Sequence, residues 1–255
     1  MFLSKSIVVV DGLTYVPGSG LSPLLCDVSF RLLEGSFTVL CGANGCGKSL
    51  LLRHLNGLLR GSSGHISLYG RDIWEDIWFT RRQIGLVFQD ADCQFVGESV
   101  REDIGFGLEN MGVSEDKRAE MVGVIAEQLG IVHLLDCYLY ELSGGEKHLV
   151  ALAGVLVMGA RVVLLDEPFN GLDYFGVQNL LRRLLDLQLR HGTTILLVTH
   201  DLEKVLAHAD YVIVMSRGRI VLQGSADEVL PAVCEYGVRV PSLGVRKMSD
   251  LSWLI

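Results

Sequence analysis

The sequence predicts an α/β fold arranged around a glycine-rich turn between a strand and a helix. Three observations point there. Short apolar strands alternate with helical stretches along most of the chain, one strand runs directly into a glycine-rich turn that opens a helix, and two later apolar strands end in Asp-Glu and Thr-His-Asp. With 255 residues, 49% of them hydrophobic and 20% charged, there is material for one large domain and its core, and disorder is excluded.

In chain order, Ile7 to Val10 and Val28 to Phe30 read as short strands separated by the Pro17-Gly18-Ser19-Gly20 loop. Phe37 to Cys41 is a strand feeding the glycine turn, with a helix near Ser49 to Leu59. His65 to Tyr69 and Ile84 to Phe88 suggest two further strands. From Ser99 to Gly159 the signals are mostly helical, and Ser114 before Glu115 and Asp116 is an expected N-cap. Strand, helix and strand then follow at Val162 to Leu165, Tyr174 to Arg190 and Thr194 to Thr199. Tyr211 to Met215, the Arg217-Gly218 turn and Ile220 to Gln223 form an expected hairpin. The pattern implies an α/β core with a helical insertion; the stretch from Ser225 onward carries little signal.

Composition removes several classes. Lys plus Arg is 22 and Asp plus Glu is 30, for a formal charge of −8, which argues against duplex DNA or anionic lipid as the main partner. The longest charge-free apolar stretch, Leu149 to Ala160, is well short of the roughly 20 residues of a bilayer crossing. The four-residue apolar run Ile7 to Val10 is too short for a signal peptide. The chain is therefore expected in the cytosol, with its high mean hydropathy of +0.38 calling for burial elsewhere, a partner being one place for it. Cysteines 26, 41, 46, 93, 137 and 234 form no C-x-x-C pair and read as reduced thiols.

The strongest motif is Gly42-Ala43-Asn44-Gly45-Cys46-Gly47-Lys48-Ser49, followed by Leu50. Its glycines let backbone N–H groups converge on phosphate oxygens, and the following helix adds a favourable dipole. Lys48 would reach the β- and γ-phosphates and Ser49 would supply an oxygen to Mg²⁺. Downstream, Val162 to Leu165 ends in Asp166, suited to hold Mg²⁺ through water, and Glu167, suited to polarise an attacking water. His200 ends the next apolar strand, on the edge where open α/β sheets bind ligands. Leu142-Ser143-Gly144-Gly145-Glu146 presents a hydroxyl and N–H groups at a helix start, a second anion site that one subunit by itself does not need.

With these residues in place, the chain resembles the ATP-binding-cassette (ABC) ATPases over nearly its whole length and in the family's order. The matches are Tyr15, the loop Gly42 to Ser49, Gln89, Leu142 to Glu146, Asp166, Glu167, Asp173 within Asn170-Gly171-Leu172-Asp173, and His200. The resemblance implies a P-loop NTPase core, an antiparallel β subdomain and a helical signature subdomain. It further implies adenine stacking by Tyr15, sensing of metal and γ-phosphate by Gln89, and hold of the γ-phosphate and attacking water by His200. Two cassettes would sandwich two ATPs head to tail, the Ser143, Gly144 and Gly145 segment of one capping the nucleotide of the other. Gly85 to Phe95, Val100 to Asn110 and Val150 to Met158 are similar to the energy-coupling-factor and cobalt-type importers. That similarity implies a second ATPase subunit, identical or related, an integral membrane coupling protein, a separate substrate-binding membrane protein, no nucleic acid, and a peripheral position on the cytoplasmic face of the membrane.

The sequence departs from the family at Glu146-Lys147-His148-Leu149, where a Gln-basic-Gln-Arg run is usual, and at Phe169-Asn170, which replaces a small pair. The expected domain is residues 1–224, with the helical insertion at about 90–160. A tail at 225–255 is short for a separate dimerising domain. Cys46 reads as a loop-filling residue, the alternative being a thiol activated by Lys48 and the loop N–H groups. Ile73, Trp74, Ile77 and Trp78 make an i, i+4 stripe, either core or a groove for a membrane partner. Asp90, Asp92, Glu98, Glu102 and Asp103 crowd around Gln89, either as a solvated face or as a receptor for arginines that such a membrane partner carries. A small-molecule kinase has no use for Leu142 to Glu146. Soluble cassettes acting on DNA or ribosomes generally carry coiled-coil, zinc or tandem-cassette additions that this sequence lacks.

Overall fold

The computed structural model describes residues 5–238 and 252–254; the expected tail at 239–251 and 255, and the first four residues of the start, lie outside the described residues. The chain opens with β1 (Ser6–Tyr15), β2 (Leu25–Leu33), β3 (Phe37–Cys41), α1 (Lys48–Leu55), β4 (Ser63–Leu68) and β5 (Arg71–Asp72). It continues through α2 (Ile77–Gln83), β6 (Ile84–Val87), α3 (Val100–Asn110), α4 (Glu115–Leu129) and α5 (Gly144–Val157). The last part contains β7 (Val162–Asp166), α6 (Tyr174–His191), β8 (Thr194–Val198), β9 (Tyr211–Ser216), β10 (Arg219–Gly224) and α7 (Ala226–Val233).

Two sheets organise these elements. One is antiparallel with order β2-β1-β4-β5, and the other has order β10-β9-β3-β8-β7-β6, parallel apart from the β9–β10 hairpin. Every residue of β3, β7 and β8 is buried, as parallel strands covered on both faces require. Their side chains alternate between two cores. Val163 and Leu165 pack with the helices of the insertion, while Val162 and Leu164 pack with α1 and the antiparallel sheet. Because these strands run in one direction, their C-terminal ends gather on one edge. The glycine loop follows β3, Gln89 follows β6, Glu167 follows β7 and His200 follows β8 on that edge.

The insertion is the three helices α3, α4 and α5. Ser99 and Glu102 close a capping box at α3. Ser114 stands at the N-cap of α4 as expected, yet its hydroxyl makes no capping bond. The apolar run in α5 needs no partner for burial: Leu149, Val150, Ala151, Leu152 and Ala153 are all within the chain's own core. Among the described residues no helix is long and apolar enough to cross a membrane.

The Ile73–Trp78 stripe does not lie on one helix. Asp72 Oδ1 accepts from the N–H of Trp74 at 2.8 Å, and Asp76 caps α2 by accepting from Phe79 N–H at 2.9 Å. These two aspartate turns stop a helix from starting before Ile77. Ile73 is buried, Trp74 carries the Arg60 guanidinium 5.5 Å above its ring, and Trp78 is 79% exposed.

Candidate active site

β3 delivers the chain to Gly42, whose φ of 151° only glycine adopts freely; a Cβ there would also strike the carbonyl oxygen of Met215. Gly47, at φ 109°, is the N-cap of α1. The loop is fastened to the β9–β10 turn by the N–H of Gly218, which donates to Cys46 O at 2.9 Å. Lys48 is only 6% exposed, and its ammonium donates to Gly42 O at 2.8 Å and Ala43 O at 3.2 Å. Those bonds use two of its three protons and aim the charge at the mouth of the loop.

This loop forms one wall of a cavity of about 480 Å³. Asn44, Gly45, Gly47, Lys48, Ser49 and Leu50 line it from one side, and Gln89, Glu167 and His200 reach it from the ends of β6, β7 and β8. Gly42 and Ala43 contribute through their carbonyls to Lys48, and Cys46 sits behind the wall. Leu24 and Asn170 also line the cavity.

Asp166 is 7% exposed, and its Oδ1 finds no hydrogen-bond partner among the described residues. Burial pushes its carboxyl above the usual carboxylate range; the Ser49 hydroxyl, hydrogen-bonded to it, pulls the other way, and the charge of Glu167 adds to the upward push. An orphaned carboxylate oxygen beside a serine hydroxyl is a hard-oxygen pair. It fits a small divalent cation that keeps several of its own waters.

Glu167 holds a left-handed backbone, φ 47°, rarely tolerated outside glycine and concentrated at functional sites. Its side chain is 10% exposed, and its Oε2 accepts from His200 Nδ1 at 2.9 Å and from the His200 N–H at 3.3 Å. Both bonds to this oxygen come from a residue 33 positions away.

Two predicted groups stand apart from this cavity. Tyr15, at the end of β1, is half-buried and packs edge-on against His54 with ring centroids 4.7 Å apart. Ser143, Gly144 and Gly145 line a second groove of about 640 Å³, and Asp173 lies there with them rather than near Lys48. Asp173 caps α6, accepting from Gly176 N–H at 2.7 Å. The two halves of the predicted chemistry thus occupy separate surfaces of one chain.

The family described as ABC transporter matches residues 25–170. The chain belongs to that family. It is 38% identical over 244 residues to the energy-coupling factor transporter ATP-binding protein EcfA3 of Clostridium perfringens, covering 93% of this chain and 85% of that one. Similarity to the energy-coupling factor transporter ATP-binding protein EcfA1 of Bacillus subtilis is 39% over 206 residues, 80% of this chain and 73% of the other. Among solved structures, cbiO1 of Clostridium perfringens, part of the ABC transporter complex cbiONQ, superposes with a TM-score of 0.83 at 38% identity, covering 94% of this chain and 98% of that one. The protein is an ABC ATPase, an ATP-hydrolysing transporter subunit with the family's fold.

Within this cassette several expectations change. Burial raises the Cys46 thiol above its ordinary range, with Lys48 only partly offsetting it, so the loop does not activate this cysteine. All six cysteines are free. Phe169 is 3% exposed and belongs to the core, leaving Asn170 alone of that pair at the cavity. The altered signature helix has found local partners: Lys147 Nζ lies 2.7 Å from Asp92, and the buried His148 places Nδ1 2.9 Å from Gly144 O.

The acidic cluster is largely committed to its own backbone. Asp103 accepts from Val96 N–H and Gly97 N–H, Glu102 from Glu98 N–H and Ser99 N–H, and Asp90 from Asp92 N–H. The exposed Asp92 carboxylate pairs with Lys147 instead, and the exposed Glu98 carboxylate has no partner among the described residues. Leu24 was missed at the sequence level, where it gives no local signal; Asn170, noted there only as a departure from the family's pattern, lines the cavity as well. Phe175, Asn179 and Arg182 of the second groove follow helical i, i+4, i+7 spacing and were findable from the phase of α6.

Proposed function

We propose that this cassette powers a membrane importer of the energy-coupling-factor type, for cobalt or nickel ions or for vitamins. In this reading two cassettes close on ATP and reopen after hydrolysis. The observation that carries the catalytic part is the Glu167–His200 contact in the cavity that also holds Lys48 and Ser49. The importer type is supported by the names of the relatives and by the cbiONQ complex of the solved neighbour.

ATP would lie with its phosphates against the N–H groups of Asn44 through Ser49, and with its adenine on Tyr15. Lys48 stabilises negative charge on the β- and γ-phosphates. Ser49, Asp166 and Gln89 would hold Mg²⁺, which when bound neutralises charge on the phosphate oxygens. Glu167 takes a proton from the attacking water, and His200 keeps that carboxylate aligned while facing the γ-phosphate. Hydrolysis is thus mostly positioning and charge stabilisation.

Ser143, Gly144, Gly145 and Asp173 line a separate groove, which fits a second cassette bringing its own nucleotide to them. The partner cassette is this chain again or a related ATPase. An integral membrane coupling protein and a substrate-binding membrane protein complete the assembly, placing the cassette peripherally on the cytoplasmic face. Co-purification from detergent-solubilised membranes tests this reading. A small set of integral membrane proteins is expected with the tagged chain, and recovery with ribosomes or DNA alone would replace the importer with a soluble cassette function.

A further inference from the structure

The start of α5 is already occupied by an anion belonging to the chain. Glu146 Oε2 accepts from the Ser143 N–H at 2.8 Å and from the Ser143 hydroxyl at 2.6 Å, while Ser143 Oγ accepts from Glu146 N–H at 3.4 Å. The backbone part is an ordinary capping box. The short hydroxyl contact is an addition to it: a serine hydroxyl has one proton, and here that proton is given to Glu146. The Ser143 hydrogen bonds hold the Glu146 carboxyl below its usual range, so it is ionised at neutral pH. Lys147, the adjacent cation, is turned toward Asp92 and forms its ion pair there.

We propose that Glu146 is a positioning residue that restrains the signature: it holds the Ser143 hydroxyl and the N-terminus of α5, and the partner cassette's ATP engages this segment only by displacing that hold. The inference rests on the head-to-tail reading above. A γ-phosphate approaching Ser143, Gly144 and Gly145 meets a like charge, and it must turn the serine proton away from a charge-assisted acceptor. Glutamine at this position keeps an acceptor for the capping bonds but removes the charge. Glu146 therefore sets how much ATP is needed to close the pair, without touching the bond that breaks.

The test uses the membrane complex purified through this chain, with ATPase activity followed against ATP concentration. Glu146→Gln is expected to lower KM for ATP about tenfold, the scale of one like charge at partly screened range, with kcat within about twofold of the parent. Glu146→Asp, which keeps the charge, should stay near the parent KM, and neither variant should shift Tm by more than about 2 °C if the cap is retained. An unchanged or raised KM in Glu146→Gln, with Ser143→Ala raising KM, overturns the restraint and leaves the head-to-tail reading standing. If Ser143→Ala also leaves KM unchanged, the signature does not meet nucleotide, and both the reading and the inference fall.

Discussion

His200 Nδ1 and Glu167 Oε2 lie 2.9 Å apart across the ends of two neighbouring parallel strands, β8 and β7. The imidazole is half exposed and the carboxylate nearly buried, yet both line the cavity that holds Lys48 and Ser49. Glu167→Gln should reduce ATP hydrolysis by about 10²–10⁴-fold with nucleotide binding retained, and His200→Ala should fall in the same range. The double variant should lose little more than either single one, because the two act as a unit. Steady-state ATPase assays beside nucleotide-binding titrations check this; additive losses would mean that the contact is not a working pair.

Asp166 supplies a second prediction, on stability. Its folded pKa is raised by burial, so the folded chain binds a proton more readily than the unfolded one. Stability from this group is present below the unfolded value, falls as pH rises toward the folded value, and is absent above it. Where the carboxylate is ionised, its burial is therefore a cost. Asp166→Asn should raise the Tm of the nucleotide-free protein by about 2–4 °C at pH 7.5, with the gain vanishing toward pH 4. The same variant should lose the thermal shift produced by MgATP.

For Cys46, the expected behaviour is inertness. The thiol is buried and its thiolate disfavoured, while Cys234 is exposed. Iodoacetamide at pH 7.5 should modify Cys234 at least about tenfold faster than Cys46, as thiolate fraction and access dictate. Peptide mapping by mass spectrometry reads both sites in one experiment; rapid labelling of Cys46 would contradict the loop packing.

Of the acidic residues near Gln89, Glu98 is the exposed carboxylate not engaged by the local backbone, whereas Asp92 is held by Lys147. Glu98→Lys should lower recovery of the membrane subunit about tenfold if that subunit presents arginines here. Asp92→Lys should act differently, by freeing Lys147, and adding Lys147→Asp should restore it. Equal effects of the two single charge reversals would show that local pairing does not separate their roles.

Much of the fold was legible because its signals are local. The strand–glycine–helix transition at Cys41–Ser49, the β9–β10 hairpin and the run of α6 each follow from residues within a few positions of one another. The stripe at Ile73–Trp78 misled because its spacing suits a helix while Asp72 and Asp76 form turns that stop one. The apolar surplus suggested a missing partner, yet α5 hides its share inside the insertion. No composition measure distinguishes those two outcomes, since both bury the same side chains.

The sequence by itself determined which chemistry is present: the phosphate loop, the Asp166-Glu167 pair, His200 and the Leu142–Glu146 segment are all written in short motifs. Tertiary structure decided their grouping. Parallel strands bring Lys48, Gln89, Glu167 and His200 to one cavity, while α5 and α6 carry Ser143 and Asp173 to another groove. It also decided which charges are already spoken for, pairing Lys147 with Asp92 and Ser143 with Glu146. Grouping of this kind depends on strand order and helix packing, which join residues tens of positions apart and leave no mark on local spacing.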